Sequence, residues 1–297
     1  MSKAYVFPGQ GAQYEGMGKD IYMNDSAARH TIDLADKILG YKISEIMFEG
    51  SADDLKETRV TQPALFIHAL AKVSMLRDQF KPIATAGHSL GEFSALVAAE
   101  ILTFESGLQL VYKRAMAMQD ACDADPGTMA AVLGLDDATV ERICDEVSDD
   151  LDDIVVPANY NCPGQLVISG TMEAVNAAIE KLKESGAKRA VLLPVGGAFH
   201  SPLMEPAQAE LEEAINGTAF RKGLCPVYQN FTSFSSTDPE EIKANLIAQL
   251  TGAVKWTQTI ENMVKDGIMN FVESGGTGKV LSGLIKKVNG EAITESL

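Results

Sequence analysis

The sequence predicts an α/β protein whose large domain is interrupted by a small subdomain. Two observations carry this prediction. At both ends of the chain, short apolar segments alternate with helical patterns, as in a mainly parallel sheet that is covered by helices. Between them, over residues 126–194, the order changes to strand, helix, strand, strand, helix, strand.

The large domain begins with a short strand in "KAYVFPG", which runs into a Gly-rich loop, and it has a second strand in "PIATAG". Pro63 stands near the start of its helix, where a missing N–H does no harm. Helices are predicted in "SAARHTIDLADKIL", "TQPALFIHALAKVSMLRDQF", "LGEFSALVAAEIL" and "FESGLQLVYKRAMAMQDAC", and after residue 194 in "DPEEIKANLIAQL" and "KWTQTIENMVKDG".

The inserted segment has the order of a ferredoxin-like unit. Its first helix, in "DDATVERICDEVSDD", begins at an Asp cap, and its second helix ends at Gly186, as helices often do. Its strands are predicted in "GTMAAVLGL", "IVVPANYN", "GQLVISG" and "AKRAVLLP". We therefore predict a large domain from residues 1–125 and 195–297, with a ferredoxin-like subdomain at 126–194.

Charge and cysteine content limit the partners and the location. The chain has 297 residues and a formal net charge of −16 at pH 7. Nucleic acids and anionic membranes favour basic surfaces, so we expect neither as a partner. The four cysteines include no Cys-x-x-Cys pair, and Pro and Gly break the N-terminal apolar run. We expect free thiols in the cytoplasm, with no signal peptide, spanning helix, metal site or redox cofactor.

The segment "GHSLG" at residues 87–91 places a serine between two glycines, after a predicted strand and before a predicted helix. This is the pattern of a nucleophile elbow, a sharp turn that leaves no room for a Cβ at either glycine. The elbow directs Ser89 Oγ above the helix N-terminus, where free N–H groups stabilise a developing negative charge. The pattern also arises by chance, and the flanking strand and helix are what favour the elbow.

A serine nucleophile needs a base, and the chain has four histidines. His88 adjoins the serine within the elbow, so its ring is expected to point away from Oγ and to pack. His68 lies on an apolar helix face, which is typical of a core histidine, and His30 lies in a polar helix. His200 stands in "GGAFHSP", a Gly- and Pro-bounded loop of the kind that carries catalytic groups, so we predict His200 as the base.

Arg114 falls inside the apolar arc of its helix, between Leu110 and Met118. A guanidinium at that position needs an anion. Two interpretations are open. One is an internal salt bridge to one of the 41 acidic residues, and the other is a substrate carboxylate held by two parallel N–H bonds.

Several segments, in order along the chain, resemble those of malonyl-CoA:acyl carrier protein transacylases, the stand-alone relatives of acyltransferase domains in fatty-acid and polyketide synthases. The segments are "FPGQGAQ", "GHSLG", "VYKRAMAMQ", "NYNCPGQLVISG", "GAFHSPLM" and "VKWTQTIENM". The resemblance runs nearly end to end. It implies an α/β-hydrolase-like large domain beside the ferredoxin-like insert.

The resemblance also implies the roles of the catalytic residues. Ser89 is the acyl-accepting nucleophile, and His200 is the general base and acid. The backbone N–H groups of Gln10 and Leu90 form the oxyanion hole. Gln249 orients the histidine through its carbonyl oxygen, in the place that an Asp takes in a hydrolase triad.

Three further residues are assigned to substrate binding. Arg114 matches the arginine that binds the malonyl carboxylate. Phe199, directly before the histidine, is similar to the pattern that accompanies malonyl rather than methylmalonyl selection. Met118, which borders Arg114 on the apolar arc of the same helix, is assigned to the substrate site as well.

The predicted reaction is a ping-pong transfer of a malonyl group from malonyl-CoA to the phosphopantetheine thiol of acyl carrier protein, through a malonyl-serine. It supplies fatty-acid chain extension, uses no cofactor and is carried out by a monomer. The alternatives are a trans-acting acyltransferase of a polyketide synthase, a serine thioesterase or carboxylesterase, and a non-catalytic docking subunit. The lack of a His-Gly-Gly-Gly loop disfavours the esterase, and the presence of Ser89 and His200 disfavours the docking subunit.

Overall fold

Two β-sheets organise the chain, whose residues 2–297 are described by a computed structural model. The strands of the first sheet are β1 (Lys3–Phe7), β2 (Pro82–Gly87), β7 (Val227–Tyr228), β8 (Ser235–Ser236), β9 (Asn270–Glu273) and β10 (Ile293–Ser296). The strands of the second sheet are β3 (Gly127–Leu133), β4 (Val155–Cys162), β5 (Gln165–Thr171) and β6 (Arg189–Leu192).

The first sheet has the order β10-β9-β1-β2-β7-β8 and is parallel except for β8, which runs antiparallel to β7. The second sheet has the order β4-β5-β3-β6, and all its neighbouring strands are antiparallel. The predicted α/β class is confirmed, with a mainly parallel sheet and a separate antiparallel sheet.

Helices cover both sheets. They are α1 (Lys19–Asn24), α2 (Ser26–Leu39), α3 (Ile43–Glu49), α4 (Thr58–Leu76), α5 (Gly91–Ala98), α6 (Phe104–Ala124), α7 (Asp137–Leu151), α8 (Met172–Glu184), α9 (Glu205–Asn216), α10 (Pro239–Ala248), α11 (Trp256–Lys265) and α12 (Val280–Val288). Within residues 2–297, no helix combines the length and the apolar character that a membrane crossing needs.

Local sequence explains several helix starts. Asp136 begins α7, because its side chain accepts a hydrogen bond from the backbone N–H of Thr139, which confirms the predicted Asp cap. Thr171 begins α8 in the same way, through the N–H of Ala174. Both helices pack on the antiparallel sheet, which has a hydrophobic cluster of its own around residues such as Ile168.

Two elements differ from the expectation. Helix α4 begins at Thr58, so Pro63 is its sixth residue, where its ring removes the N–H that would pair with the carbonyl oxygen of Arg59. Arg59 is exposed, so water can satisfy that oxygen. The sequence also predicts a strand in "PVYQNFT", but only Val227–Tyr228 form it, because the chain leaves the sheet after Tyr228.

Val254 joins the antiparallel sheet to the segment that precedes α11. Its N–H donates to the carbonyl oxygen of Ala158 at 2.8 Å, and its own carbonyl oxygen accepts from the N–H of Tyr160 at 2.9 Å. Val254 thereby adds an isolated parallel bridge to the edge of β4 at Asn159. The segment between α10 and α11, which contains Val254, is thus tied to the antiparallel sheet by main-chain hydrogen bonds.

Candidate active site

Ser89 lies at the turn between β2 and α5. Its φ is 51°, in the left-handed region that side chains other than Gly rarely adopt. A Cβ built on Gly87 would lie 1.9 Å from the carbonyl group of Gly91, and one on Gly91 would lie 2.0 Å from the carbonyl oxygen of Phe7. The predicted lack of room for a Cβ is confirmed at both glycines.

Asn230 spans this turn from the loop that follows β7. Its Oδ1 accepts a hydrogen bond from the backbone N–H of Ser89 at 2.6 Å, and its Nδ2 donates to the carbonyl oxygen of Gly87 at 2.6 Å. Both bonds are buried or partly buried. Asn230 therefore supports the strained backbone of Ser89 from both sides.

His200 faces the serine. Its Nε2 lies 2.7 Å from Ser89 Oγ. Its Nδ1 lies 2.9 Å from the main-chain carbonyl oxygen of Gln249 and 3.2 Å from the main-chain carbonyl oxygen of Gly252. Carbonyl oxygens only accept, so Nδ1 carries the proton and Nε2 is the free base that accepts from Oγ. The structure brings together the predicted nucleophile, base and orienting residue.

Burial and the positive charge of Arg114 lower the pKa of His200 to about 3. The imidazole is therefore neutral at physiological pH and can accept a proton. An anion bound to Arg114 would offset the positive charge and make His200 a stronger base.

Arg114 is 1% exposed and reaches the serine from α6. Its Nη1 donates to Oε1 of Gln62 at 2.7 Å, and its Nη2 donates to Ser89 Oγ at 3.1 Å and to Oε1 of Gln249 at 3.4 Å. Its buried Nε has no acceptor among the described residues. The guanidinium is thus only partly satisfied by the protein.

No carboxylate within residues 2–297 lies within 4.0 Å of the Arg114 nitrogens. The interpretation as an internal salt bridge is therefore wrong. Burial lowers the pKa of Arg114 to about 10, and the charge of Glu92 opposes this shift, so the guanidinium stays protonated at neutral pH. A protonated, incompletely paired guanidinium beside the serine is able to bind an anion.

A cavity of about 350 Å³ opens above the serine. Seven of the eight predicted site residues line it, and Gln249 lies behind them. The seven are Gln10, Ser89, Leu90, Arg114, Met118, Phe199 and His200, and the cavity wall is completed by residues such as Met129, Leu193 and Val195. The wall is mostly apolar, and its charged side chains are Arg114 and Lys56.

The backbone N–H groups of Gln10 and Leu90 both border this cavity. Among residues 2–297, neither donates a hydrogen bond to the protein. Leu90 directly precedes α5, so its N–H is one of the free donors at that helix N-terminus. The two donors can stabilise an oxyanion next to Ser89.

The other histidines fit their predicted packing roles. The Nε2 of His88 pairs with Oδ1 of Asn161 at 2.8 Å, and its ring packs 5.7 Å from that of Trp256. His68 is fully buried, neither of its ring nitrogens has a partner among the described residues, and burial lowers its pKa to about 3. Neither ring contacts the serine hydroxyl.

Sequence reasoning missed Asn230, Gln62 and Glu92. Gln62 and Glu92 each interrupt an otherwise apolar buried helix, which is a usable signal because a buried polar side chain needs partners. Asn230 lies in a short loop with no such signal, and only the tertiary structure brings it to the elbow.

A wider groove of about 620 Å³ lies elsewhere, between α3 and α6. Among its lining residues are the acidic Glu45, Glu49, Asp54 and Glu57, and no serine, cysteine or histidine contributes to it. It contains no pair of hydroxyl or thiol nucleophile and histidine base like Ser89 and His200, so the smaller cavity is the candidate active site.

The chain matches the family described as "Acyl transferase domain" over residues 4–289. It belongs to this acyl transferase family. The predicted resemblance is confirmed, and the acyltransferase is 44% identical over 291 residues to the malonyl CoA-acyl carrier protein transacylase of Bacillus subtilis (strain 168), covering 97% of this chain and 91% of the relative.

Solved structures agree with this membership. The acyltransferase has a TM-score of 0.94 and 39% identity to the acyl-carrier-protein S-malonyltransferase of Burkholderia pseudomallei 1710b, covering 100% of this chain and 96% of that one. It has a TM-score of 0.95 and 36% identity to a malonyl-transacylase solved in complex with its type II PKS acyl-carrier protein, covering 100% and 96% of the two chains.

Proposed function

We propose that this acyltransferase moves a malonyl group from malonyl-CoA to the phosphopantetheine thiol of acyl carrier protein, through a malonyl ester of Ser89. The observation that carries the proposal is the buried Arg114, which has no carboxylate partner and lies 3.1 Å from Ser89 Oγ. The names of the relatives support the same donor and acceptor.

In the first half-reaction, His200 Nε2 takes the proton of Ser89 Oγ as this oxygen attacks the thioester carbonyl carbon. The oxyanion of the tetrahedral intermediate accepts from the N–H groups of Gln10 and Leu90. The C–S bond then breaks, and the CoA sulfur leaves with the proton from His200. The malonyl group stays on Ser89 as an oxygen ester.

In the second half-reaction, the thiol of the carrier protein gives its proton to His200 and attacks the malonyl ester. Collapse of the intermediate returns the proton to Ser89 Oγ and releases malonyl-carrier protein. The reaction exchanges one thioester for another without a change of oxidation state, so we propose that it needs no cofactor.

Arg114 explains why transfer is favoured over hydrolysis. A malonyl carboxylate is well hydrated, and it would bring water towards the ester unless the protein replaced that water. The guanidinium can take over the hydration through two parallel N–H bonds, while the apolar wall around Met118 and Phe199 excludes solvent. The shape of this wall, with Phe199 beside His200, supports preference for an unbranched malonyl group.

Intact-mass measurement of the wild-type enzyme tests the proposed function. After brief exposure to malonyl-CoA, the enzyme should gain one malonyl group and keep it in buffer. Addition of a phosphopantetheine-bearing carrier protein should then move the group to the carrier, about 10²-fold faster or more than water releases it, because the thiol is the better nucleophile. Acetyl-CoA serves as the comparison donor.

The competing functions give different results. A thioesterase or carboxylesterase releases the acyl group at the same rate with and without the carrier protein. A docking subunit never acquires it. Carrier proteins of both fatty-acid and polyketide synthesis should be compared as acceptors, because one relative was solved with a type II PKS carrier protein.

We further propose that residues 1–125 and 195–297 form an α/β-hydrolase-like domain and that 126–194 form a ferredoxin-like subdomain. The strand order β4-β5-β3-β6 and the separate hydrophobic cluster support this division. We still predict that the protein is a monomer in the cytoplasm. This prediction is supported by an active site built from one chain and by four buried free cysteines, which are typical of reducing compartments.

The carrier protein should dock near the last turn of α12. Acyl carrier proteins are acidic, as is this chain, so a local basic patch must offset the long-range repulsion. Lys286 and Lys287 are exposed, and neither has a carboxylate within 4.0 Å among the described residues. The sequence offers one other basic segment, "KLKESGAKR" at residues 181–189, and it is partly neutralised, because Lys181 pairs with Asp150 and Lys183 with Glu180.

The double variant Lys286→Glu/Lys287→Glu should raise the KM for carrier protein about 10-fold at low salt and less at high salt. The rate at which malonyl-CoA acylates Ser89 should stay within about twofold. Lys181→Glu/Lys183→Glu makes the same charge change and should leave both rates near the wild-type values. An equal loss in both half-reactions would mean that the two lysines bind CoA instead.

A further inference from the structure

Glu92 is a buried carboxylate that the mechanism above does not use. It lies in the first turn of α5, three residues after Ser89, and it is 0% exposed. Its Oε2 accepts from the backbone N–H of Asn230 at 2.9 Å and from Nε2 of Gln249 at 2.9 Å, and its Oε1 accepts from Nε2 of Gln229 at 3.1 Å.

All three partners of Glu92 are N–H donors. A protonated carboxyl would direct its own O–H into this set, so the arrangement fits the carboxylate form. Burial raises the pKa of Glu92, and the three donors and the charge of Arg114 oppose this shift. No cation lies within 4.0 Å of it among residues 2–297, so it is held by hydrogen bonds alone.

Two of the donors also hold the reacting groups. Asn230 supports the N–H of Ser89, as described above. The side chain of Gln249 donates from Nε2 to the carbonyl oxygen of Ser89 at 3.0 Å. The main-chain carbonyl oxygen of Gln249 accepts from His200 Nδ1. The nucleophile and the base are therefore anchored to the same carboxylate through one residue each.

We propose that Glu92 is a positioning residue that also supplies the fixed negative charge of this active site, acting through Asn230 and Gln249. The inference rests on the proposed function. In a hydrolase triad, a carboxylate touches the imidazole, whereas here a neutral carbonyl does. The carboxylate lies one residue further away, where it holds the side chain of Gln249, the residue whose main-chain carbonyl oxygen orients His200.

The charge balance gives this role a specific consequence. In the empty site, Glu92 offsets Arg114. Once a malonyl carboxylate binds Arg114, the site carries one excess negative charge, which favours transfer of a proton to His200. Without the charge of Glu92, the empty site is positive and binds anions more tightly, while the loaded site no longer favours the imidazolium.

The variant Glu92→Gln keeps the size of the side chain and removes its charge. We expect the rate of malonyl-Ser89 formation, measured by quenched-flow mass spectrometry, to fall about 10- to 100-fold. We expect the dissociation constant for free malonate, measured by calorimetry, to fall about threefold or more because the uncompensated Arg114 attracts the anion. Glu100→Gln removes an exposed charge just beyond α5 and should change neither value.

Loss of a residue with only a structural role would not slow acylation while strengthening malonate binding. Loss of folding or of site shape weakens malonate binding and slows acylation together. That result, or a wild-type acylation rate in folded Glu92→Gln, would overturn the proposal. Circular dichroism and the melting temperature establish folding. Wild-type enzyme must form malonyl-Ser89 in the same experiment, so failure of the proposed function is seen separately.

If Glu92→Gln does not fold, Gln249→Ala tests the proposal instead. It removes the side chain that hydrogen-bonds Glu92 and leaves the negative charge of Glu92 in place. Acylation should then fall about 10-fold, with Ser89 still labelled by an acylating inhibitor. Malonate affinity should change by less than about threefold, because the variant removes only the long 3.4 Å contact of Arg114 with Gln249 Oε1. Wild-type acylation in Gln249→Ala, or complete loss of labelling, would contradict the proposed link.

Discussion

Replacement of Ser89 by alanine should leave the enzyme with no covalently bound malonyl group after exposure to malonyl-CoA. The variant lacks the only hydroxyl that lies within hydrogen-bonding distance of His200 Nε2 among the described residues. The His200→Ala variant should still become acylated, but about 10²- to 10⁴-fold more slowly, because the serine has lost its general base. Intact mass after quenching at short times measures both effects.

Ser94→Ala is the matched control for this experiment. It removes a buried serine of α5, the helix that follows Ser89, and Ser94 does not line the cavity. It should be acylated at the wild-type rate. A malonyl group found on Ser89→Ala would show that a different residue accepts it, and the proposed reaction path would then be wrong.

The Arg114→Ala variant should reverse the preference between acyl groups. Charge-assisted hydrogen bonds contribute about 1.5–3 kcal/mol, so kcat/KM for malonyl-CoA should fall about 10- to 150-fold. With acetyl-CoA, which has no carboxylate, kcat/KM should stay the same or rise. The variant frees Ser89 Oγ from the hydrogen bond with Nη2, and it removes the charge that lowers the pKa of His200.

Steady-state kinetics with both donors measure this change, and Lys113→Ala is the control. Lys113 is exposed on the same helix, so its loss changes the net charge equally but touches no part of the cavity. Equal losses with malonyl-CoA and acetyl-CoA would mean that Arg114 only supports the fold. The proposed substrate would then have no physical basis in this site.

The parts of the site that sequence reasoning found have local signals. The glycines around Ser89 reflect contacts within one turn, and the apolar arc around Arg114 reflects one helix face. His200 emerged from a choice among four histidines, three of which had an ordinary explanation. Short-range geometry was enough in each case, and the family resemblance added Gln10, Leu90 and Gln249.

The remaining parts depend on segments that are far apart in sequence. Gly252 contributes a carbonyl oxygen that contacts His200, and Asn230 contributes a carboxamide that contacts the backbone of Ser89. Neither residue type is unusual in a loop. The absence of an acidic partner for Arg114 is a property of the packed molecule. A sequence with 41 acidic residues cannot reveal that none of them reaches the guanidinium.

The main-chain bridge at Val254 has a mechanical consequence. Gly252, two residues earlier, accepts a hydrogen bond from the imidazole, while Val254 is tied to the edge of β4. Asn161, further along the same strand, holds the ring next to the nucleophile. A displacement of the antiparallel sheet would therefore shift the carbonyl oxygen that accepts from His200 and the ring that adjoins Ser89.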